Sequence, residues 1–126
     1  MERTVGATAR RQRRGERLVQ DCDREELKAK IDRGDPFRLV MVMHDWQFEA
    51  AHIPGSILVR TNQEAVKTLN REDEIVVYCS EAKCSTSKAA ADFMERAGFK
   101  HVIHYRGGLK DWSEAGYPLE GSAVPS

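Results

Sequence analysis

The run Ile75-Val76-Val77-Tyr78-Cys79 limits what this chain can fold into more than any other segment. It is apolar at every position, without the alternation of a strand that has one wet face. A strand of this kind is buried on both sides, as in a parallel sheet covered by helices. Leu39-Val40-Met41-Val42-Met43, within Phe37 to Met43, repeats the pattern. Ile57-Leu58-Val59 and Val102-Ile103 offer two shorter strands.

Helical patterns fall between these runs. Asp23 followed by Glu26 reads as a capping box; Leu27 and Ile31 share a face, and Gly34 stops the helix. Residues 62–70 form a second helix with Ala65, Val66 and Leu69 inward. Ser87 to Ala97 predicts a third, with Ala89, Phe93 and Ala97 facing the core and Gly98 as its stop. Leu109 to Ala115 gives a last short helix ending at Gly116. His52-Ile53-Pro54-Gly55 and Gly107-Gly108 are turns, and no internal repeat is visible. Alternating strands and helices with short links imply right-handed crossovers and an α/β fold: three layers, α/β/α, with a mainly parallel sheet.

Composition narrows the function classes. The chain has 126 residues, which fits one domain. Twenty basic and twenty acidic side chains cancel, which argues against a nucleic-acid binder held by bulk charge. The longest apolar run is five residues, too short for a membrane span of roughly 18. Six arginines against two glutamates make residues 1–17 a basic segment without leucine or aromatic side chains. It is expected to be a disordered tail, since it cannot bury enough surface to offset its ordering entropy. A transit peptide and an arm for RNA or acidic partners are the functional readings of that tail, set against a solvated tail with no task. The domain then spans 18–121, with a short tail at 122–126. Three scattered cysteines do not make a disulfide scaffold, so the expected compartment is reducing and the expected location cytoplasmic.

Cys79 is where chemistry is expected. Ligands of open α/β sheets bind beyond the carboxyl ends of strands, where a loop enters a helix. Cys79 ends the most apolar strand, and Ser80, Glu81, Ala82, Lys83, Cys84, Ser85 and Thr86 lead into the third helix. A loop curled round the sulfur would aim its N–H groups at it, and with the helix dipole would favour the thiolate. The other reading is a buried structural cysteine, a common fate for a free thiol.

Several motifs in order resemble one family. Val76-Val77-Tyr78-Cys79, Ser87-Lys88-Ala89-Ala90, Ala97-Gly98-Phe99 and Val102 lead to Gly107-Gly108-Leu109-Lys110-Asp111-Trp112 and then Ala115-Gly116-Tyr117-Pro118. Upstream stand Arg24-Glu25-Glu26-Leu27 and Ala51-His52-Ile53-Pro54-Gly55-Ser56-Ile57. Together they resemble a rhodanese-like, single-domain sulfurtransferase over residues 18–121. The resemblance implies that Cys79 accepts sulfur from thiosulfate or a persulfide, forms a persulfide, and passes the sulfur to cyanide or a thiol. It implies covalent catalysis in two displacements, with the loop 80–86 as the substrate-binding segment. A small-molecule donor, a small-molecule or protein acceptor, no metal and no organic cofactor complete that expectation.

Three departures from the family pattern qualify it. Met41 and Met43 stand where an aspartate and an arginine are usual, so the polar network behind the active loop is either missing or rebuilt by His44 or Asp45. The loop is two residues longer than the common six, with neither glycine nor arginine, and Lys83 as its one cation, a point charge for a sulfonate. Cys84 adds a thiol. If the loop amides converge on Cys79, Cys84 points away and does not bridge to it. Cys79 with Cys84 is a weak start for a zinc site, which wants four ligands. A phosphatase of this fold would need a loop arginine. A non-catalytic sensing or binding module is the remaining alternative. His52, His101 and His104 are read as hydrogen-bonded structural residues, Trp112 and Tyr117 as packing, and Trp46 and Phe48 as unplaced.

Overall fold

In the computed structural model, which describes residues 20–80 and 85–124, five strands form one sheet. They are β1 (Gln20–Cys22), β2 (Arg38–Met41), β3 (Ser56–Leu58), β4 (Glu74–Tyr78) and β5 (His101–Tyr105). Their order is β1-β5-β4-β2-β3, and each neighbouring pair runs parallel. The helices are α1 (Arg24–Arg33), α2 (Asp45–Ala50), α3 (Asn62–Thr68), α4 (Thr86–Arg96) and α5 (Gly108–Glu114). The parallel three-layer architecture expected from the apolar runs is present. The basic segment 1–17 lies outside the described residues.

Local chemistry accounts for the element ends. Asp23 accepts from the Glu26 N–H at 2.8 Å, and Glu26 accepts from the Asp23 N–H at the same distance, closing the capping box on α1. Gly34 takes φ 74°, a left-handed cap that returns its N–H to the Ile31 carbonyl. Thr61 caps α3 by accepting from the Glu64 N–H.

Alternation along the central strands divides the core in two. Val40, Ile75, Val77 and Val102 face α3 and α4, where they meet Ala65, Leu69, Ala91 and Met94. Leu39, Met41, Val76, Tyr78, Ile103 and Tyr105 face α1 and α5, where they meet Leu27 and Trp112. Trp112 is fully buried, donates from its indole N–H to the Pro118 carbonyl at 2.8 Å, and packs edge-on against Tyr105 and Tyr117.

The structure corrects three expectations. The buried stripe of α4 is Ser87, Ala90, Ala91 and Met94, whereas Ala89 is exposed and Phe93 and Ala97 are only partly covered. The i, i+4 spacing of Ala89, Phe93 and Ala97 runs along the stripe's edge; the sheet lies under a neighbouring face of the helix. Strand β1 and helix α2 were not anticipated: both are short, and β1 is mostly exposed. His101 is exposed at the start of β5, whereas His52 lies 2.7 Å from the Phe48 carbonyl through Nδ1, with its ring stacked on Phe48.

Candidate active site

Cys79 is the first residue beyond β4, at the carboxyl end of the central strand, and only 1% of its surface is exposed. Its backbone is gripped from one side. The Leu109 N–H donates to the Cys79 carbonyl at 2.9 Å, and the Lys110 N–H donates to the Ser80 carbonyl at 2.8 Å. Both donors belong to the first turn of α5, whose amides have no partner within the helix. The approach depends on the Gly107-Gly108 turn. A Cβ on Gly107 would run into the Asp111 side chain, and Gly108 has φ 73°. Asp111 is itself held by the Tyr105 hydroxyl at 2.6 Å and by Arg24 at 3.2 Å.

The sulfur of Cys79 lies 3.2 Å from the thioether sulfur of Met43, which follows β2. Cys79 is disulfide-bonded in this structure, so this is a contact between two sulfurs without a proton between them. Cys22 is a free thiol, so the bonded partner of Cys79 lies outside the described residues. The bond departs from the expectation of an unbridged Cys79 thiol. Cys22 is a poor nucleophile. Burial, reinforced by Glu26 and Asp23, pushes its thiol up to about 12.

The expected substrate-binding segment divides. Ser80 is half-buried beside Cys79, and Ser85 and Thr86 are exposed at the start of α4. Glu81, Ala82, Lys83 and Cys84 lie outside the described residues, and with them the amide nest, the Lys83 charge and the direction of Cys84. A cleft of about 420 Å³ between α3 and α4 ends at Ser85 and Thr86, with Val42, Val59, Arg60 and Ala89 in its walls. Arg60 is tied to Asp45 at 3.1 Å and to Glu64 at 2.9 Å. Among the described residues no group of three His, Cys, Asp or Glu side chains could hold a metal ion. Nor is any described helix long and apolar enough to cross a membrane.

The bonds of Tyr78 and the partner of His104, itself expected to be a hydrogen-bonded structural residue, escaped the sequence reading. The Tyr78 hydroxyl, on β4 just before Cys79, accepts from the Ile53 N–H at 3.0 Å and meets Ser56 Oγ at 2.9 Å, bracing the His52–Gly55 turn. Burial pushes this phenol up to about 12. Behind the loop's far end, Ser87 Oγ and His104 Nε2 are 2.8 Å apart, both buried. Burial lowers the His104 pKa below the ordinary imidazole value. The signal was in the sequence: a histidine between Ile103 and Tyr105 and a serine at the head of an apolar helix face each put a polar group indoors.

Comparison with known proteins agrees with this geometry. The Rhodanese-like domain family matches residues 23–115. The chain is 30% identical over 97 residues to the putative sulfur carrier protein YrkF of Bacillus subtilis, covering 75% of this chain and 51% of that protein. It is 27% identical over 97 residues to the probable adenylyltransferase/sulfurtransferase MoeZ of Mycobacterium tuberculosis, covering 74% of this chain and 24% of that protein. The chain thus spans about half the length of one curated relative and a quarter of the other. Among solved structures, the BH2092 protein of Bacillus halodurans superposes with a TM-score of 0.76 at 26% identity, covering 84% of this chain and 80% of that one. The rhodanese-like domain of the Anabaena Alr3790 protein gives 0.72 at 26% identity, covering 84% of each chain.

Proposed function

Because the chain belongs to the rhodanese-like domain family, whose relatives here are named for sulfur carriage and sulfur transfer, we propose that it is a sulfurtransferase working through Cys79. The observation that carries this reading is the position of Cys79: just past the central strand, with its own carbonyl and that of Ser80 held by the α5 amides. A sulfur fixed there reacts from a preorganised backbone, which is what covalent group transfer asks of a nucleophile.

The disulfide at Cys79 is first opened by two equivalents of an external thiol, which leave joined as their own disulfide, since only the thiolate attacks. The thiolate then attacks the outer sulfur of thiosulfate or of an organic persulfide. A new sulfur–sulfur bond forms on Cys79 as the donor's own sulfur–sulfur bond breaks, and sulfite or a thiolate leaves with the electron pair. In the second displacement cyanide or a thiolate attacks the outer sulfur of the Cys79 persulfide. Thiocyanate or a new persulfide departs, and the Cys79 thiolate is regenerated. A protein thiol can be the acceptor, in keeping with a relative named as a sulfur carrier. No step calls for a metal or organic cofactor.

The test is direct. Reduced protein incubated with thiosulfate should gain the mass of one sulfur on the peptide containing Cys79, and cyanide should remove it as thiocyanate. Cys79→Ser should lose both while keeping the far-UV spectrum of the parent, and thiocyanate production retained in that variant would refute the reading. A second reading draws on the bonded state of Cys79: a sensing or binding module without turnover. That reading requires reduced protein that neither gains nor releases sulfur.

A further inference from the structure

We infer that Asp111, held by the Tyr105 hydroxyl, is a positioning residue for Cys79: it fixes the first turn of α5, whose amides grip the backbone that carries the sulfur. The inference rests on the sulfur-transfer reading above and adds residues to it.

The contacts run without a break from β5 to Cys79. Tyr105, the last residue of β5, donates from its hydroxyl to Asp111 Oδ2 at 2.6 Å. Arg24, the first residue of α1, reaches Asp111 Oδ1 at 3.2 Å and the Asp111 carbonyl at 3.4 Å. Asp111 lies in the first turn of α5, one residue beyond Lys110 and two beyond Leu109. Those two amides donate to the Ser80 carbonyl at 2.8 Å and to the Cys79 carbonyl at 2.9 Å. The Asp111 side chain also lies against Gly107, where it leaves no room for a Cβ. Strand β5 pairs with β4, so the end that carries Tyr105 stands beside the end from which Cys79 emerges.

The head of α5 needs such a tie. The helix is seven residues long, and Gly107 at its N-cap offers no side-chain cap. Trp112 buries one side of it in the core. Asp111 projects about 100° further round the axis, so its bonds and the buried indole together fix the rotation of the helix. Rotation decides where the Leu109 and Lys110 N–H groups point. The bond from Tyr105 is the stronger of the two that hold the carboxylate. Its length is that of a charge-assisted O–H···O⁻ bond, and the phenol is 1% exposed. Burial and Asp111 both push this phenol above its ordinary pKa, which keeps the hydroxyl a donor.

The experiment uses the full chain, reduced, and compares wild type with Asp111→Ala, Asp111→Asn and Tyr105→Phe. Amide hydrogen exchange of Leu109 and Lys110, resolved by NMR, reads the grip on Cys79 directly. In Asp111→Ala both amides should exchange about ten-fold faster relative to Val77 of β4, because the opening is local. With thiosulfate and cyanide, kcat should fall about ten-fold while KM moves less than about two-fold, the mark of lost positioning rather than lost binding. Tyr105→Phe keeps the ring and should show the same pattern at about three-fold. Asp111→Asn still offers Tyr105 an oxygen and should fall between wild type and Asp111→Ala in both readouts. Exchange that accelerates equally in α5 and β4 would make Asp111 a general stabiliser and overturn the inference. So would an unchanged kcat in folded Asp111→Ala, or an Asp111→Asn protein that behaves like Asp111→Ala. If wild type transfers no sulfur at all, the functional reading fails, while the exchange ratios still decide whether Asp111 holds the backbone of Cys79.

Discussion

The two faces of the sheet are built differently. The side covered by α1 and α5 is closed with aromatic rings: Trp112, Tyr105 and Tyr78 are fully buried, and each has its polar atom satisfied by a named partner. The side covered by α3 and α4 is closed with aliphatic side chains and alanines around the ring of Phe99, and it leaves the cleft lined by Ser85 and Thr86. Large rings with polar tips can lock a layer in one position, because packing and hydrogen bonding agree. Alanines allow close helix approach but specify position less. The aromatic face reads as the foundation of the site, and the alanine face as the looser side, with open space beside the head of α4.

Trp112→Ala should break the foundation most severely. It removes the largest fully buried side chain and its bond to Pro118. The expected loss is about 3–5 kcal/mol, read by urea or thermal unfolding. A loss well under this range would mean that the aromatic face relaxes as readily as the alanine face, and the contrast would fail.

Tyr78→Phe tests whether the hydroxyls matter as well as the rings. The ring stays, but the Ile53 N–H and Ser56 lose a buried partner beside the His52–Gly55 turn. A cost of about 1–3 kcal/mol is expected from the orphaned donor alone. A neutral substitution would show that water reaches this turn.

Much of this arrangement could be read before the structure. The unbroken apolar runs marked the buried strands, since a strand with both faces covered leaves no room for polar alternation. The Asp23-Glu26 pair and Gly34 marked both ends of α1 by their own chemistry. Three-residue β1 carried too little pattern to stand out, because its place in the sheet comes from pairing with β5, a contact more than eighty residues away. The site divides likewise. Cys79 was legible as a strand end, whereas the amides of Leu109 and Lys110 were not, since backbone donors have no sequence signature. Met43 was noted for the family residue it replaces, and its contact with the Cys79 sulfur emerges only when β2 and β4 lie side by side.

Acid should act on the buried His104 behind α4. Burial holds the His104 pKa below the ordinary imidazole value, with Lys88 and Arg106 adding to the effect and Asp21 and Asp92 opposing it. The unfolded chain therefore takes up a proton first as pH falls, and stability should decline from about pH 6.5 downward. His104→Asn should flatten that decline when melting is followed between about pH 7 and pH 5. The partly exposed carboxylates Asp35 and Glu64, lowered by Arg33 and Arg60, act in the same direction but only in the carboxylate range, below about pH 4.5. An unchanged slope in the variant would mean that the ring titrates freely and that the alanine face is wetter than its burial implies.

The smallest effect on stability, and the sharpest on access, is expected at Ala89. This residue lies on the exposed edge of α4 and forms part of the cleft wall, one turn beyond Ser85. Leucine is nearly as good a helix former as alanine, and it would reach across space that no described side chain fills. Ala89→Leu should therefore change unfolding free energy by no more than about 0.5 kcal/mol. If the cleft is the approach to Cys79, the same change should raise KM several-fold for a bulky persulfide donor such as a persulfidated peptide. Thiosulfate, being small, should be unaffected. The opposite pattern would recast the comparison of the two faces. A gain of about 1 kcal/mol or more with no change in KM for either donor would make the cleft a packing gap that leucine repairs. Sulfur would then have to arrive over the loop itself, and the alanine face would be a looser version of the aromatic one rather than its entrance.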